Sequence, residues 1–370
     1  MVNQTPQKLL FVINSLHGGG AERVLSNLAN YQDQKGNEVQ IVCLNATIPA
    51  YWLAPDIVVH HLIEEGRKPG LQHRVWNAVL VFTRLLSLLQ KERPSAVVAF
   101  MTSANLWTGL TCSILNIPYI VSERIAPALT IQKFNPLLRW ITYLLYKGAK
   151  SVVLPSKSMA EGWQKTRHFK RLKNIEIINN SITIFPKPQD QPVYPHRFIL
   201  AVGRLASQKG FDVLISAFKR VDERNLHLLI SGEGEQREAL EAQIEGLGLS
   251  QRIKLIGFRE NIHDYYLQAE MFVLSSRNEG YPNALLEALS LGCPCIATNC
   301  EYGPADLIDH GKNGLLIKPE NIYHLAAAMN LLSNDPLLKA KIAVNARKIQ
   351  LSNAMENTAE KWTVLFQHLD

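Results

Sequence analysis

Two carboxylates, Glu279 and Glu287, stand eight positions apart in the stretch SSRNEGYPNALLE. A Gly-Tyr-Pro turn follows the first, and a helical run carries the second. A carboxylate in a loop can accept sugar hydroxyls; one on a helix can take both hydroxyls of a ribose, because it is a bidentate acceptor. Two isolated glutamates would simply be solvated, so the neighbouring loops decide. Gly203-Arg204, followed at a short distance by Lys209-Gly210, sets a planar fork and a point charge where both can converge on one diphosphate, or else makes a solvated basic loop. Gly232-Glu233-Gly234 lets a flat group such as a nucleobase approach the backbone, or is a plain turn. Gly257-Phe258-Arg259 offers backbone groups to a base edge, or Phe258 only packs. The helix opening after Tyr281, Pro282 and Asn283 points its first amides at any phosphate.

Each of these loops follows a short apolar run that reads as a buried parallel strand: 198–202, 226–231, 253–256 and 271–274. Further strands are read at 294–298 and 314–317, and helices at 211–221, 237–247, 262–269, 284–291, 322–332, 336–352 and 356–369. The first half has the same alternation. Strands fall at 9–14, 38–44, 96–101, 119–122, 151–155 and 175–178, with helices at 21–32, 75–91 and 136–146 and others opening at Thr102 and Ser156. Here a glycine loop, His17-Gly18-Gly19-Gly20, joins a strand to a helix and could offer amides to an anion, although it is not GxGxxG. Pro186, Pro188, Pro192 and Pro195 then mark a linker. The expected organisation is a first domain at 1–185, a linker at 186–196, a second domain at 197–352 and a closing helix at 353–370 that crosses back to the first domain. Both domains are α/β, doubly wound and Rossmann-like, and they face each other across a cleft.

Composition narrows the class. With 47% hydrophobic residues in 370, two packed domains are within reach and wholesale disorder is excluded. Five scattered cysteines make no disulfide framework, and Cys293-Pro-Cys295 lacks a second ligand pair for zinc, which fits a reducing, cytoplasmic setting. No signal peptide is evident, and the apolar stretch 78–89 is interrupted by Arg84 and too short to span a bilayer. Residues 1–190 carry a net +10 and residues 191–370 a net −3. A basic half suits anionic lipid or a phosphorylated substrate, or serves only solubility. Nucleic acid is disfavoured, because the basic residues do not cluster with aromatic readout motifs.

The pieces AVGRLASQKGFDVLISAF, LLISGEGEQREALE, IKLIGF, SSRNEGYPNALLEALSLGCPCIAT and GKNGLLI occur in the order and spacing of the family 4 (group 1) retaining glycosyltransferases. NSLHGGGAERVLSNLA resembles that family's N-terminal glycine loop, so the resemblance covers most of the chain. It is nearest to members that build lipid-linked oligosaccharide, O-antigen or capsule repeat units. The resemblance implies the GT-B fold and a metal-independent transfer of a hexose or N-acetylhexosamine from a nucleoside-diphosphate sugar, with UDP the expected nucleotide, to a glycan acceptor. It implies Arg204 and Lys209 on the donor diphosphate, Glu279 on the donor sugar and Glu287 on the ribose. Gly19, Gly20, Gly203, Gly232, Gly234, Phe258, Tyr281, Pro282 and Asn283 would line the donor site. Many members carry a histidine after the strand corresponding to 96–101. This chain has Thr102-Ser103-Ala104-Asn105 there, so the acceptor side passes to Asn105 or to Glu123 and Arg124.

Helices 75–91 and 136–150 combine apolar residues, Trp76 or Trp140, and nearby Lys and Arg. They could seat the basic half on the inner face of the cell membrane, where a polyprenyl-linked acceptor lies, or be ordinary core-facing helices. Two other readings are a sugar-nucleotide epimerase on the same fold and a non-catalytic partner subunit. The paired glutamates with Arg204 and Lys209 argue against both.

Overall fold

Apolar runs of four to six residues such as Lys8–Ile13 and Tyr119–Ser122 leave neither face to water, so they belong inside a sheet covered on both sides. The computed structural model describes residues 6–64, 71–127 and 130–367 and contains two such sheets. The chain divides into two compact units, one of Met1–Ser181 with Glu356–Asp370 and one of Ile182–Met355.

The first unit runs β1 (Lys8–Ile13), α1 (Gly20–Gln34), β2 (Glu38–Cys43), β3 (Val58–His61), α2 (Leu71–Glu92), β4 (Ala96–Phe100), α3 (Thr102–Leu115), β5 (Tyr119–Ser122), α4 (Pro136–Gly148), β6 (Ser151–Leu154), α5 (Lys157–Lys165) and β7 (Ile175–Ile177). Its seven strands are all parallel, in the order β3-β2-β1-β4-β5-β6-β7. Ser156 caps α5 as expected, its Oγ accepting from Met159 N at 3.2 Å. Strand β3 is additional to the sequence reading: VVHH is a half-exposed edge strand in which a short apolar run, Ile57–Val59, gives way to two histidines.

The second unit runs β8 (Phe198–Val202), α6 (Phe211–Phe218), β9 (His227–Ser231), α7 (Arg237–Gly246), β10 (Ile253–Gly257), α8 (Ile262–Gln268), β11 (Met271–Leu274), α9 (Asn283–Ser290), β12 (Cys295–Thr298), α10 (Pro304–Leu307), β13 (Leu315–Ile317), α11 (Ile322–Asn334), α12 (Pro336–Ala346) and α13 (Ile349–Asn353). Its strands are again all parallel, in the order β10-β9-β8-β11-β12-β13. The single helix expected at 336–352 is two helices, α12 and α13.

The last helix, α14 (Met355–Gln367), lies in the first unit. Trp362 stacks on Phe100 of β4 with ring centroids 5.8 Å apart, and Phe366 meets Phe11 of β1 edge-on at 6.5 Å. The proline-rich stretch is not a free tether. The units divide at Ser181/Ile182, before it, and Ile182, Phe185, Val193 and Tyr194 pack on the core of the second unit. Gln189 N donates to Asp264 Oδ1 at 3.0 Å, and Val193 N donates to Gln268 Oε1 at 2.9 Å. The apolar residues between the prolines dock the segment that composition alone reads as a linker.

Each strand order reverses once at the centre, between β1 and β4 in the first sheet and between β8 and β11 in the second. Doubly wound sheets bind ligands outside the C-terminal strand ends at that reversal.

Candidate functional site

In the second unit, the reversal brings the loop after β8 against the loop after β11. Lys209 ends a 3-10 turn, Ser207–Lys209, and its Nζ meets Glu279 Oε1 at 2.6 Å. Ser276 Oγ donates to the same oxygen at 2.6 Å. Glu279 is only 7% exposed, yet the ammonium and the hydroxyl keep its charge compensated. Gly210 follows with φ +63°, and a Cβ there would lie 2.3 Å from Ser275 O, so the two loops approach more closely than a side chain permits.

Arg277, a residue that the sequence reading passed over, clamps these loops together. Its NH1 and NH2 make a bidentate pair with Asp212 at 2.9 and 2.7 Å, its Nε reaches Glu320 at 2.9 Å, and NH1 also donates to Ser207 O at 2.6 Å. Its backbone N donates to Gln208 O at 2.8 Å. The Asp212 pair raises the Arg277 pKa and lowers that of Asp212. An arginine at a strand end, two positions before a glutamate and matched by an aspartate just after a Lys-Gly turn, was the available signal.

The loops after β9 and β10 join the same edge. Gly203 N donates to Ser231 O at 3.0 Å, Leu205 N to Glu233 O at 2.9 Å, and Gly232 N to Gly257 O at 2.9 Å. A Cβ on Gly232 would fall 1.9 Å from Gly203 O. Gly232 and Gly234 are thus required by the packing of backbone on backbone, whereas a Cβ on Gly203 would meet only the Lys209 side chain, at 3.3 Å. Phe258 is not a packing residue: it is 54% exposed just beyond β10. Arg204 is exposed and makes no ion pair with another described residue, leaving its fork for a ligand. Tyr281 is buried, and α9 begins at Asn283 behind Pro282, an N-cap residue that offers its first amides no side-chain hydrogen bond. One turn into α9, Glu287 is 4% exposed and accepts from Tyr266 OH at 3.3 Å. The structure therefore gathers Arg204, Lys209, Glu279, Glu287 and the glycine turns at one end of one sheet.

In the first unit, Gly19 is the extended N-cap residue of α1, and Gly20 is its first residue. Ser103 Oγ donates to Asn14 Oδ1, joining the loops after β1 and β4. Asn105 and Glu123 do not face a ligand, because both are fully buried. Glu123 is enclosed by Thr102 Oγ1 at 3.0 Å, Asn105 Nδ2 at 3.1 Å and the Tyr146 hydroxyl, all donating to its carboxylate. Burial pushes its pKa up to about 7 against the pull of these donors. As direct acceptor ligands, Asn105 and Glu123 are therefore corrected to interior groups that shape the wall behind the strand ends. Arg124 is half-buried, its guanidinium 4.9 Å from the centre of the Phe100 ring, and it donates to Asn180. Its Nε and NH2 have no hydrogen-bond partner, and burial lowers its pKa to about 9, so it remains a cation at neutral pH. All five cysteines are buried and unpaired.

The chain matches two family models, glycosyl transferases group 1 over residues 187–349 and glycosyltransferase family 4 over residues 18–184. It is 30% identical over 349 residues to the N-acetylgalactosamine-N,N'-diacetylbacillosaminyl-diphospho-undecaprenol 4-alpha-N-acetylgalactosaminyltransferase of Campylobacter jejuni, across 90% of this chain and 92% of that one. It is 27% identical to an uncharacterized glycosyltransferase of Haemophilus influenzae, across 95% of this chain and 97% of that one. Among solved structures, Anabaena HepE in complex with UDP-glucose matches with a TM-score of 0.79 at 20% identity, over 98% of this chain and 100% of that one. At that identity the likeness speaks to the fold.

Proposed function

The chain belongs to the group 1, family 4 glycosyltransferases of GT-B fold, and we propose that it moves a hexose or N-acetylhexosamine from a uridine-diphosphate sugar to a lipid-linked glycan, with retention of configuration. One observation carries this reading: the Lys209–Glu279 pair at the reversal of the second sheet, with Glu287 one turn into the helix that follows. An ammonium has three donors, and only one is aimed at Glu279. The others, together with the Arg204 fork, are suited to the charge that grows on a departing diphosphate. Glu279 then accepts hydroxyls of the donor sugar, and Glu287 takes the ribose diol. The two carboxylates have separate tasks because one sits in a loop and the other on a helix.

The lipid-linked acceptor is supported by the Campylobacter relative, whose name specifies a diphospho-undecaprenol substrate, and by one face of the first unit. Helix α3 packs against both α2 and α4, and the three leave Val75, Trp76, Val79, Leu110, Ile114, Leu137, Trp140, Ile141 and Leu144 exposed. Arg74, Lys133 and Lys147 are exposed nearby. Apolar side chains with two tryptophans and a basic fringe suit an anionic membrane surface, and no described helix is long and apolar enough to cross a membrane. On this reading Arg124, with its unpaired donors, serves the acceptor side.

A panel of nucleotide sugars offered with a lipid-linked acceptor extract, read by mass spectrometry and anomeric NMR, tests the reaction. Transfer from a uridine-diphosphate sugar to give an α-linked product from an α-linked donor is expected. An inverted product would overturn the retaining mechanism. Co-sedimentation with phosphatidylglycerol vesicles at low salt tests the membrane face, and should be lost in a Trp76→Ser, Trp140→Ser variant.

A further inference from the structure

The chain leaves the first unit at Ser181, enters the second at Ile182 and returns after Met355. Inside the second unit, both crossing segments are bonded to the stretch that carries Glu279 and Glu287. Ile182 N donates to Asn353 O at 2.8 Å, tying the outgoing segment to the returning one. Thr183 Oγ1 donates to Glu287 Oε1 at 3.3 Å, while Tyr266 OH donates to the other carboxylate oxygen. Asn353 is 2% exposed and donates its Nδ2 to the Tyr281 hydroxyl at 2.8 Å. Its own Oδ1 accepts from Ser352 Oγ at 2.8 Å. Ile182 and Phe185 pack on the apolar cluster that contains Tyr281, Leu285 and Leu286.

The terminal torsion of a glutamate is soft, so the plane of its carboxylate is set by what donates to it. A carboxylate that must take both hydroxyls of a ribose needs that plane fixed before the ligand arrives. Thr183 and Tyr266 do this from opposite oxygens, and Asn353 holds the tyrosine of the turn between the two glutamates.

We infer that Thr183 and Asn353 are positioning residues for the donor site: Thr183 orients Glu287, Asn353 orients the Tyr281 turn, and through them both chain crossings are wired to nucleotide binding. The inference rests on the assignment of Glu287 to the ribose. Neither residue is required to touch the donor, and both lie outside the glutamate motif by which the site is recognised in sequence.

Calorimetric titration of the full chain with UDP and with 2′-deoxy-UDP tests it. Thr183→Val keeps the shape and removes the donor; it should weaken UDP about tenfold but 2′-deoxy-UDP only about twofold, because part of the diol contact is already missing. Thr183→Ser should restore parental affinity for both. Asn353→Ala and Tyr281→Phe should each weaken UDP about threefold and together little more than either alone, since both break the contact that they share. Thermal melts report whether each variant is folded, and Thr183→Val and Tyr281→Phe keep the test open if Asn353→Ala is not. Parental UDP binding by Thr183→Val, or an equal loss on both nucleotides, overturns the inference. Parental binding by Glu287→Gln instead removes the ribose assignment, and the inference with it.

Discussion

At the sheet reversal of the second unit, opposite charges lie side by side within reach of a ligand: Lys209 meets Glu279 at 2.6 Å, and Arg204 stands exposed on the same loop. At the strand ends of the first unit, the carboxyl group is sealed in. Glu123 has no exposed surface and is held by two hydroxyls and an amide, and its cationic neighbour Arg124 stacks on Phe100. Two sheets of the same topology thus spend their charged groups differently. In the second unit a compensated ion pair can exchange one partner for a phosphate or a sugar hydroxyl. In the first, a desolvated acid depends on where its proton sits. Glycine use differs in the same sense. A Cβ on Gly232 would strike backbone at 1.9 Å, whereas one on Gly19 would meet only the carboxylate end of Glu22 at 2.3 Å, which can swing away.

The widest separation between the two regions is expected in turnover. Lys209→Ala should cut transfer by about 10²–10³-fold while the chain stays folded, because it removes a donor to the leaving group from the second unit alone. Near-parental turnover would mean that the ion pair is structural. The next effect is on stability. Gly232→Ala should cost about 3 kcal/mol, and Gly19→Ala less than about 0.5 kcal/mol, as measured by chemical denaturation. Equal costs would erase the contrast between a backbone-packed loop and an open one.

A subtler test uses pH. Burial raises the Glu123 pKa from an ordinary 4.5 to about 7, so the folded chain holds a proton that the unfolded chain releases across that window. Stability from this group is therefore fully present below the unfolded value and is lost as pH rises from about 4.5 to about 7, by at most about 3 kcal/mol. Glu123→Gln mimics the protonated acid. It should match the parent near the bottom of that window and flatten the decline above it, as read from melting temperature against pH. A decline of unchanged slope would show that Glu123 does not titrate there.

The second unit was the more legible in sequence because its ligands and its strands share one code. Each apolar run ends in candidate site residues, so finding β8, β9, β10 and β11 also finds Arg204, Gly232, Phe258 and Glu279. Arg277 escaped because an arginine beside a glutamate reads as a surface charge until Asp212 is known to face it. Thr183 and Asn353 escaped because their partners lie 104 and 72 positions away, a distance at which spacing carries no information. In the first unit, Glu123 was visible as a strand-end acid, but its burial depends on Tyr146, which is contributed by a different helix. Edge strand β3 was missed because its short apolar run, Ile57–Val59, is cut off by His60 and His61, and its residues are only partly buried.

The return of α14 has a consequence for synthesis. Trp362 and Phe366 are almost wholly buried in the first unit, and Gln32 Nε2 donates to Thr363 Oγ1 at 3.1 Å. The first sheet is translated before the second, yet the aromatic pair that covers Phe11 and Phe100 emerges from the ribosome only after all of Ile182–Met355. The second unit, continuous in sequence, can close on itself as it appears, whereas the first must wait with part of its core uncovered. The order of completion is thus the reverse of the order of synthesis.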